Sequence, residues 1–280
     1  MLVCQVFLII RTSRFPGKIA LIALNRKVSV QQQVYFNNLQ GEKLAATLHL
    51  PENSGECGIV LGHCFTCSRH TGILRQIAAD AVQKQFTVIR FDFSGNGQSE
   101  GRFAASTYSK QISEMQLAAA YLKDRGIRRI GLAGHSMGAL ISVLTAARNG
   151  DFRAVCAIAG RLSGTEAAHF LAAPQRQQLA ETGSVSFQSR GRELSLNDAF
   201  FNDASDYDLP HILSRLQTPL LIVHGQKDEI IPVSEAYAAR DHVAGRVDLH
   251  ILSEADHMFS NAADRQEVSR IVVEWFEKHI

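Results

Sequence analysis

The sequence predicts an α/β fold in which a mainly parallel eight-stranded sheet is covered by helices on both faces. Three observations carry that expectation. Short apolar runs alternate with segments of helical period along most of the 280 residues. Most of those runs are apolar throughout, as in strands buried on both faces. Finally, Gly134-His135-Ser136-Met137-Gly138 sits between one such run and one such helix, the setting of a tight strand-to-helix turn that holds a serine out.

Taken in order, the elements begin weakly. Leu2–Ile10 is an apolar stretch followed by Arg11, Arg14 and Lys18. It is too short to span a bilayer. Its charge lies on the wrong side for a secretory signal, and no cleavage site of small residues follows. Residues 1–30 are therefore read as a flexible N-terminal extension or a start site placed too early, and residues 31–280 as the folded domain. Val34–Asn37 and Leu44–Leu50 alternate like strands across the turn-forming Asn38–Gly41. Gly58–Gly62 reads as a buried strand, Thr71–Gln85 as a helix with Ile73, Ile77, Ala78 and Ala81 on one face, and Phe86–Asp92 as the next strand. Thr107–Arg125 is an amphipathic helix stopped by Gly126. The strand Arg129–Ala133 and the helix Ala139–Ala147 flank the serine turn, and Ala154–Ala159 is a further buried strand. From Arg161 to Ser214 the rhythm breaks, with no strong strand and a polar middle, which reads as an inserted lid over a site. Strand Pro219–Gly225, a helix over about 233–243, strand Val247–Leu252 and a closing helix from about Ala262 complete the pattern.

Composition narrows the function classes. The apolar fraction of 46% and charged fraction of 20% are those of an ordinary globular protein. A net charge of +2, with no basic stripe, gives no case for nucleic acid. Five scattered cysteines do not look like a disulfide framework, so a cytoplasmic setting is the simplest. Association into a homodimer through an exposed apolar lid stays open.

A serine hydroxyl is a poor nucleophile until a base takes its proton and an acid orients that base. After a strand-turn-helix serine, the partners are expected at the carboxyl ends of later strands, acid first. Asp228 follows the strand that ends at Gly225; Glu229 next to it would point elsewhere. His257 follows the strand that ends at Leu252, with Asp256 too close in sequence to orient it. Of the eleven histidines, His63, His135 and His224 also lie at strand ends. His135 must point away from the serine, and His63 and His224 suit structural bonds to backbone. The developing oxyanion needs N–H donors, assigned to the backbone of Met137 and of Phe65. Cys64 and Cys67 form a C-x-x-C after a strand, read as a passive pair of buried thiols; zinc would require more ligands than the loop offers.

His63–Thr66, Asp92–Gly101, Gly134–Gly138, His224–Asp228 and Asp256-His257 together resemble the α/β-hydrolase superfamily over about residues 33–280. The similarity is greatest to its cinnamoyl/feruloyl-esterase-like and serine-aminopeptidase-like branch. The His63-Cys64 variant in place of His-Gly resembles the hydrolase half of fusions with an osmotically induced, peroxide-reductase-like domain, a domain that these 280 residues are not expected to contain. The resemblance implies a Ser136–His257–Asp228 triad, an oxyanion hole at Phe65 and Met137, and a lid at about 161–214. It also implies a structural role for Asp92–Gly101. The expected activity is that of a carboxylesterase-like serine hydrolase acting on a small-molecule ester, short-chain acyl or cinnamoyl, with no cofactor and no metal. Amide or thioester cleavage by the same triad, ligand binding without turnover, and thiol-redox chemistry at Cys64 and Cys67 are the alternatives.

Overall fold

The computed structural model describes residues 30–53, 55–164 and 167–280. The expected extension falls almost wholly outside them, as do two positions of the insertion. An eight-stranded sheet forms the centre: β1 (Val30–Asn37), β2 (Lys43–Leu50), β3 (Cys57–Gly62), β4 (Thr87–Phe91), β5 (Arg129–His135), β6 (Ala154–Ile158), β9 (Leu220–Gly225) and β10 (Val247–Leu252). Between β6 and β9 lies a separate hairpin of β7 (Ser184–Ser189) and β8 (Arg192–Asn197). The order across the large sheet is β1-β2-β4-β3-β5-β6-β9-β10. The β1–β2 and β2–β4 pairings are antiparallel, and every later one is parallel.

Side chains alternate across each strand, so neighbouring residues feed two different cores. Val60, Ile89, Leu132 and Ile222 face one core, closed by α2 (Tyr108–Lys123), α3 (Met137–Arg148) and α7 (Ser234–His242). Ile59, Val88, Ala133 and Val223 face the other, closed by α1 (Gly72–Gln83) and α8 (Ala262–His279). Strands buried on both sides explain the continuous apolar runs of the sequence. Helix starts follow local chemistry: Thr107 Oγ1 accepts from the Lys110 N–H and Asn261 Oδ1 from the Ala263 N–H, caps worth about 1 kcal/mol each.

Two expectations change. β1 begins at Val30, because Gln31, Gln32 and Gln33 extend an exposed edge strand paired with His49, Leu48 and Thr47 of β2; polar edge residues leave no apolar alternation to read. The insertion does contain strands. In β7 and β8, Val185 pairs with Leu196 and Phe187 with Leu194, joined through Arg190 and Gly191 at φ of 51° and 72°, a two-residue hairpin turn. The insertion also carries α4 (Ala173–Thr182), α5 (Asp198–Ser205) and α6 (Leu209–Ser214).

The Asp92–Gly101 segment is a buried clasp. Asp92 pairs with the Arg69 guanidinium and also accepts from the backbone N–H groups of Arg69 at 2.6 Å and Gln98 at 2.9 Å. Gly97 turns there at φ +54°, and a Cβ on it would come within 2.1 Å of the carboxylate. Removing one member of a buried pair leaves an uncompensated charge. Asp92→Ala is therefore expected to cost roughly 3–5 kcal/mol in urea unfolding; a loss below about 1 kcal/mol, the scale of an exposed pair, would show that the clasp contributes little.

Candidate active site

The turn after β5 is set by close packing. A Cβ on Gly134 would lie 2.1 Å from the Gly138 carbonyl oxygen, and one on Gly138 would lie 2.3 Å from that of Gly62. Only glycine fits at either position. Ser136, between them, adopts φ 56° and ψ −114°, a strained backbone for a non-glycine residue. Its side chain stands at the amino end of α3, where the helix dipole favours developing negative charge.

The structure brings Ser136, His257 and Asp228 together from three strand ends. Ser136 Oγ and His257 Nε2 are 3.1 Å apart, and His257 Nδ1 and Asp228 Oδ2 are 2.8 Å apart. Asp228 Oδ1 accepts from the N–H groups of Ile230 at 2.9 Å and Ile231 at 2.7 Å. Burial alone would raise the Asp228 carboxyl. Hydrogen bonds from His224, His257 and the Ile231 N–H outweigh that and hold it well below the usual carboxylate range. Glu229 is exposed, and Asp256 accepts from the Ser260 N–H instead of meeting the imidazole.

The other three histidines brace this arrangement. His224 Nε2 lies 2.8 Å from the Ile231 carbonyl and 3.2 Å from Asp228 Oδ2. Burial and the neighbouring His257 push His135 down to about 3. His135 is thus neutral, and its Nε2–H donates to the His257 carbonyl at 2.7 Å. His63 donates from Nδ1 to the Cys64 carbonyl at 2.7 Å and accepts the Phe93 N–H at Nε2 at 3.0 Å. With Asp92 gripping Arg69, the loop 63–69 is anchored at both ends.

Phe65 sits on that loop. Its ring meets Phe103, Phe170, Phe187 and Phe200 at 5.2, 5.6, 5.9 and 5.5 Å, the last three supplied by the insertion. Among the described residues, the N–H groups of Phe65 and Met137 meet no acceptor. Phe65, Ser136 and Met137 line one cavity of about 160 Å³, with Tyr108, Leu140, Phe170 and Phe200 as apolar walls and Arg161 and His169 as polar members. The aromatic wall was not legible as a site feature: its only sequence signal is phenylalanines spaced through an otherwise polar insertion.

Cys64 and Cys67 depart from expectation. Cys67 N–H donates to the Cys64 carbonyl at 3.1 Å, a turn that brings the Cα atoms to 5.2 Å, and the sulfurs are joined in a disulfide. Cys57 and Cys156 are free. Among the described residues there is no group of His, Cys, Asp and Glu able to hold a metal ion, and no helix long and apolar enough to cross a membrane.

With this geometry in hand, the relatives can be placed. The model of the prolyl oligopeptidase family, a peptidase family, matches residues 76–280. The chain belongs to that family. It is a hydrolase of the α/β-hydrolase superfamily. Rat mitochondrial palmitoyl-protein thioesterase ABHD10 is 27% identical over 184 residues, 63% of this chain and 60% of that protein. An uncharacterized 31.7 kDa protein of the traX-finO intergenic region of Escherichia coli is 25% identical, over 85% of this chain and 97% of its own length. Among solved structures, Est1E from Butyrivibrio proteoclasticus with ferulic acid bound superposes with a TM-score of 0.77 at 22% identity, covering 88% of this chain and 98% of that one. Mouse ABHD10 gives a TM-score of 0.73 at 22% identity, covering 88% and 99%.

Two outcomes follow from the site. An Asp whose folded value is depressed stabilises the fold above the unfolded value and loses that contribution as pH falls through the folded one. Wild type should therefore exceed Asp228→Asn in urea-unfolding stability above about pH 4, where the unfolded carboxyl is ionised, with the gap closing toward about pH 2. A gap that does not vary with pH would contradict a carboxylate held low. For the disulfide, Cys64→Ser with Cys67→Ser should cost about 2 kcal/mol, the closure entropy of so short a loop. That difference should disappear when both proteins are unfolded in excess dithiothreitol.

Proposed function

We propose that this protein is a serine hydrolase that cleaves carboxylic esters through an acyl-enzyme intermediate. The observation that carries the reading is the line Ser136–His257–Asp228, at 3.1 and 2.8 Å, opening onto a mostly apolar cavity. Ser136 Oγ attacks the acyl carbon while His257 Nε2 takes its proton. The N–H groups of Phe65 and Met137 donate to the resulting oxyanion, usually the largest electrostatic contribution. His257 returns the proton to the leaving group, which departs. Water, deprotonated by the same imidazole, then releases the acid. Asp228 accepts from His257 Nδ1–H, fixes the tautomer and stabilises the imidazolium. Residues 161–214 act as a lid whose phenylalanines shape the acyl pocket.

The cavity supports an acyl class. An apolar space near 150 Å³ accommodates a benzene ring, so about 160 Å³ suits a short acyl chain or an aryl ring better than a chain as long as palmitoyl. The ferulic acid held by Est1E is of a similar aromatic kind. Thioesters are a second reading, favoured by the sequence relationship to ABHD10.

The decisive experiment is hydrolysis of chromogenic esters from acetate to octanoate, plus a hydroxycinnamate, by wild type and Ser136→Ala. The variant should lose a factor on the order of 10⁵ or more in kcat. Wild-type kcat/KM should peak at butyrate, hexanoate or the aryl ester and fall by octanoate. Turnover that survives in Ser136→Ala would refute the nucleophile, and a profile still rising at octanoate would refute the pocket size.

A further inference from the structure

The loop 63–69 separates two pockets. Phe65 faces the apolar cavity that holds Ser136, whereas the next residue, Thr66, lines a second and more polar pocket of about 370 Å³. Its walls include Ser68, His70 and Thr71 from the loop side and Arg190 and Arg192 from the β7–β8 hairpin. Among the described residues no carboxylate lines it, and Asp92 beneath is already bound by Arg69.

Both arginines are exposed, and the groups they meet are neutral. Arg192 Nη2 donates to the Thr66 carbonyl at 3.1 Å, and Arg190 Nη2 lies 3.6 Å from Met258 Sδ. Thr66 Oγ1 and Ser189 Oγ, 2.8 Å apart, tie the hairpin to the loop. Each guanidinium has five N–H donors, so most of them remain for a ligand. Arg190 sits at φ 51° in a turn position that favours glycine or asparagine, so the turn geometry does not account for an arginine there. Helix α1 starts at the pocket edge after Thr71, adding the positive end of its dipole. At the pocket edge, burial first and then the charges of Arg69, Arg90 and Arg75 lower the His70 imidazole despite Asp92 nearby.

We propose that this pocket binds a phosphate carried by the leaving alcohol or thiol, so that the preferred substrates are esters or thioesters joining a small apolar acyl group to a phosphorylated leaving group. The proposal rests on the hydrolase reading of Ser136. Position supports it: Met258, which Arg190 touches, is the residue after His257, the histidine that returns a proton to the leaving group. Two planar guanidinium forks beside hydroxyls and a helix amino end match the oxygens of a phosphate.

Two measurements on the full chain test it. The first compares kcat/KM for butyryl-coenzyme A and for its neutral analogue, the butyryl thioester of N-acetylcysteamine, in wild type, Arg190→Gln, Arg192→Gln and the double variant. Thermal melts of each variant report whether it is folded. The phosphorylated thioester should be preferred by tenfold or more. The double variant should remove that preference through KM, while turnover of the neutral thioester stays within about twofold. Equal kcat/KM for the two thioesters, or a preference that survives in the double variant, would overturn the site and leave the hydrolase reading standing. The second is calorimetric titration of Ser136→Ala with coenzyme A, which needs no turnover. Affinity that weakens at least tenfold on adding both Gln substitutions supports the site. No binding, or binding indifferent to them, overturns it. Should neither thioester be cleaved, the thioester reading fails, the chromogenic ester panel still decides the hydrolase reading, and the titration alone decides the phosphate site.

Discussion

The approach of Gly138 to the carbonyl of Gly62 governs the geometry of the whole site. A single methyl group at Gly138 would overlap that oxygen at 2.3 Å. Without one, the amino end of α3 docks directly against the end of β3. That contact puts Ser136, held at positive φ by its own tight turn, beside the loop that leaves β3 at His63. Met137 and Phe65, far apart in sequence, thereby share one cavity. Close packing of backbone on backbone gives a placement that flexible side chains could not hold as tightly.

Around that contact the molecule divides its supports by chemistry. The polar side relies on buried, hydrogen-bonded groups: Asp92 on Arg69 and two backbone N–H groups, His63 between Cys64 and Phe93, His135 on the carbonyl of His257. Each fixes a segment that carries a residue of the proposed site. The apolar side relies on phenylalanines that the insertion lays over Phe65. One loop is thus gripped from below by charge and from above by aromatic packing, and its two faces meet two different solvents, one oily and one wet.

The sequence made the sheet legible because parallel strands buried on both faces are long apolar runs, and Ile59–Leu61 or Leu220–Val223 admit few other readings. Ser136, Asp228 and His257 were legible for a related reason: each follows such a run at its carboxyl end. The hairpin at 184–197 was not. Val185, Phe187, Leu194 and Leu196 do alternate, but among so many serines and charges that the period is faint, and the Arg190-Gly191 turn lacks the Asn-Gly that would have marked it. The disulfide was missed because spacing alone does not say whether a C-x-x-C closes a turn. Asp92 was read as structural, yet the partner that makes it so, Arg69, precedes it by a whole helix and strand and is tied to it only in three dimensions.

The order of strands carries a consequence for how the chain becomes active. Ser136 lies near the middle of the sequence, whereas Asp228 and His257 follow β9 and β10, which lie together at one edge of the sheet. Helix α8, late in the chain, packs in one core with α1, from its first third. Ser136, Asp228 and His257 share one site only when β9 and β10 lie beside β6, so their grouping depends on distant parts of the chain having met.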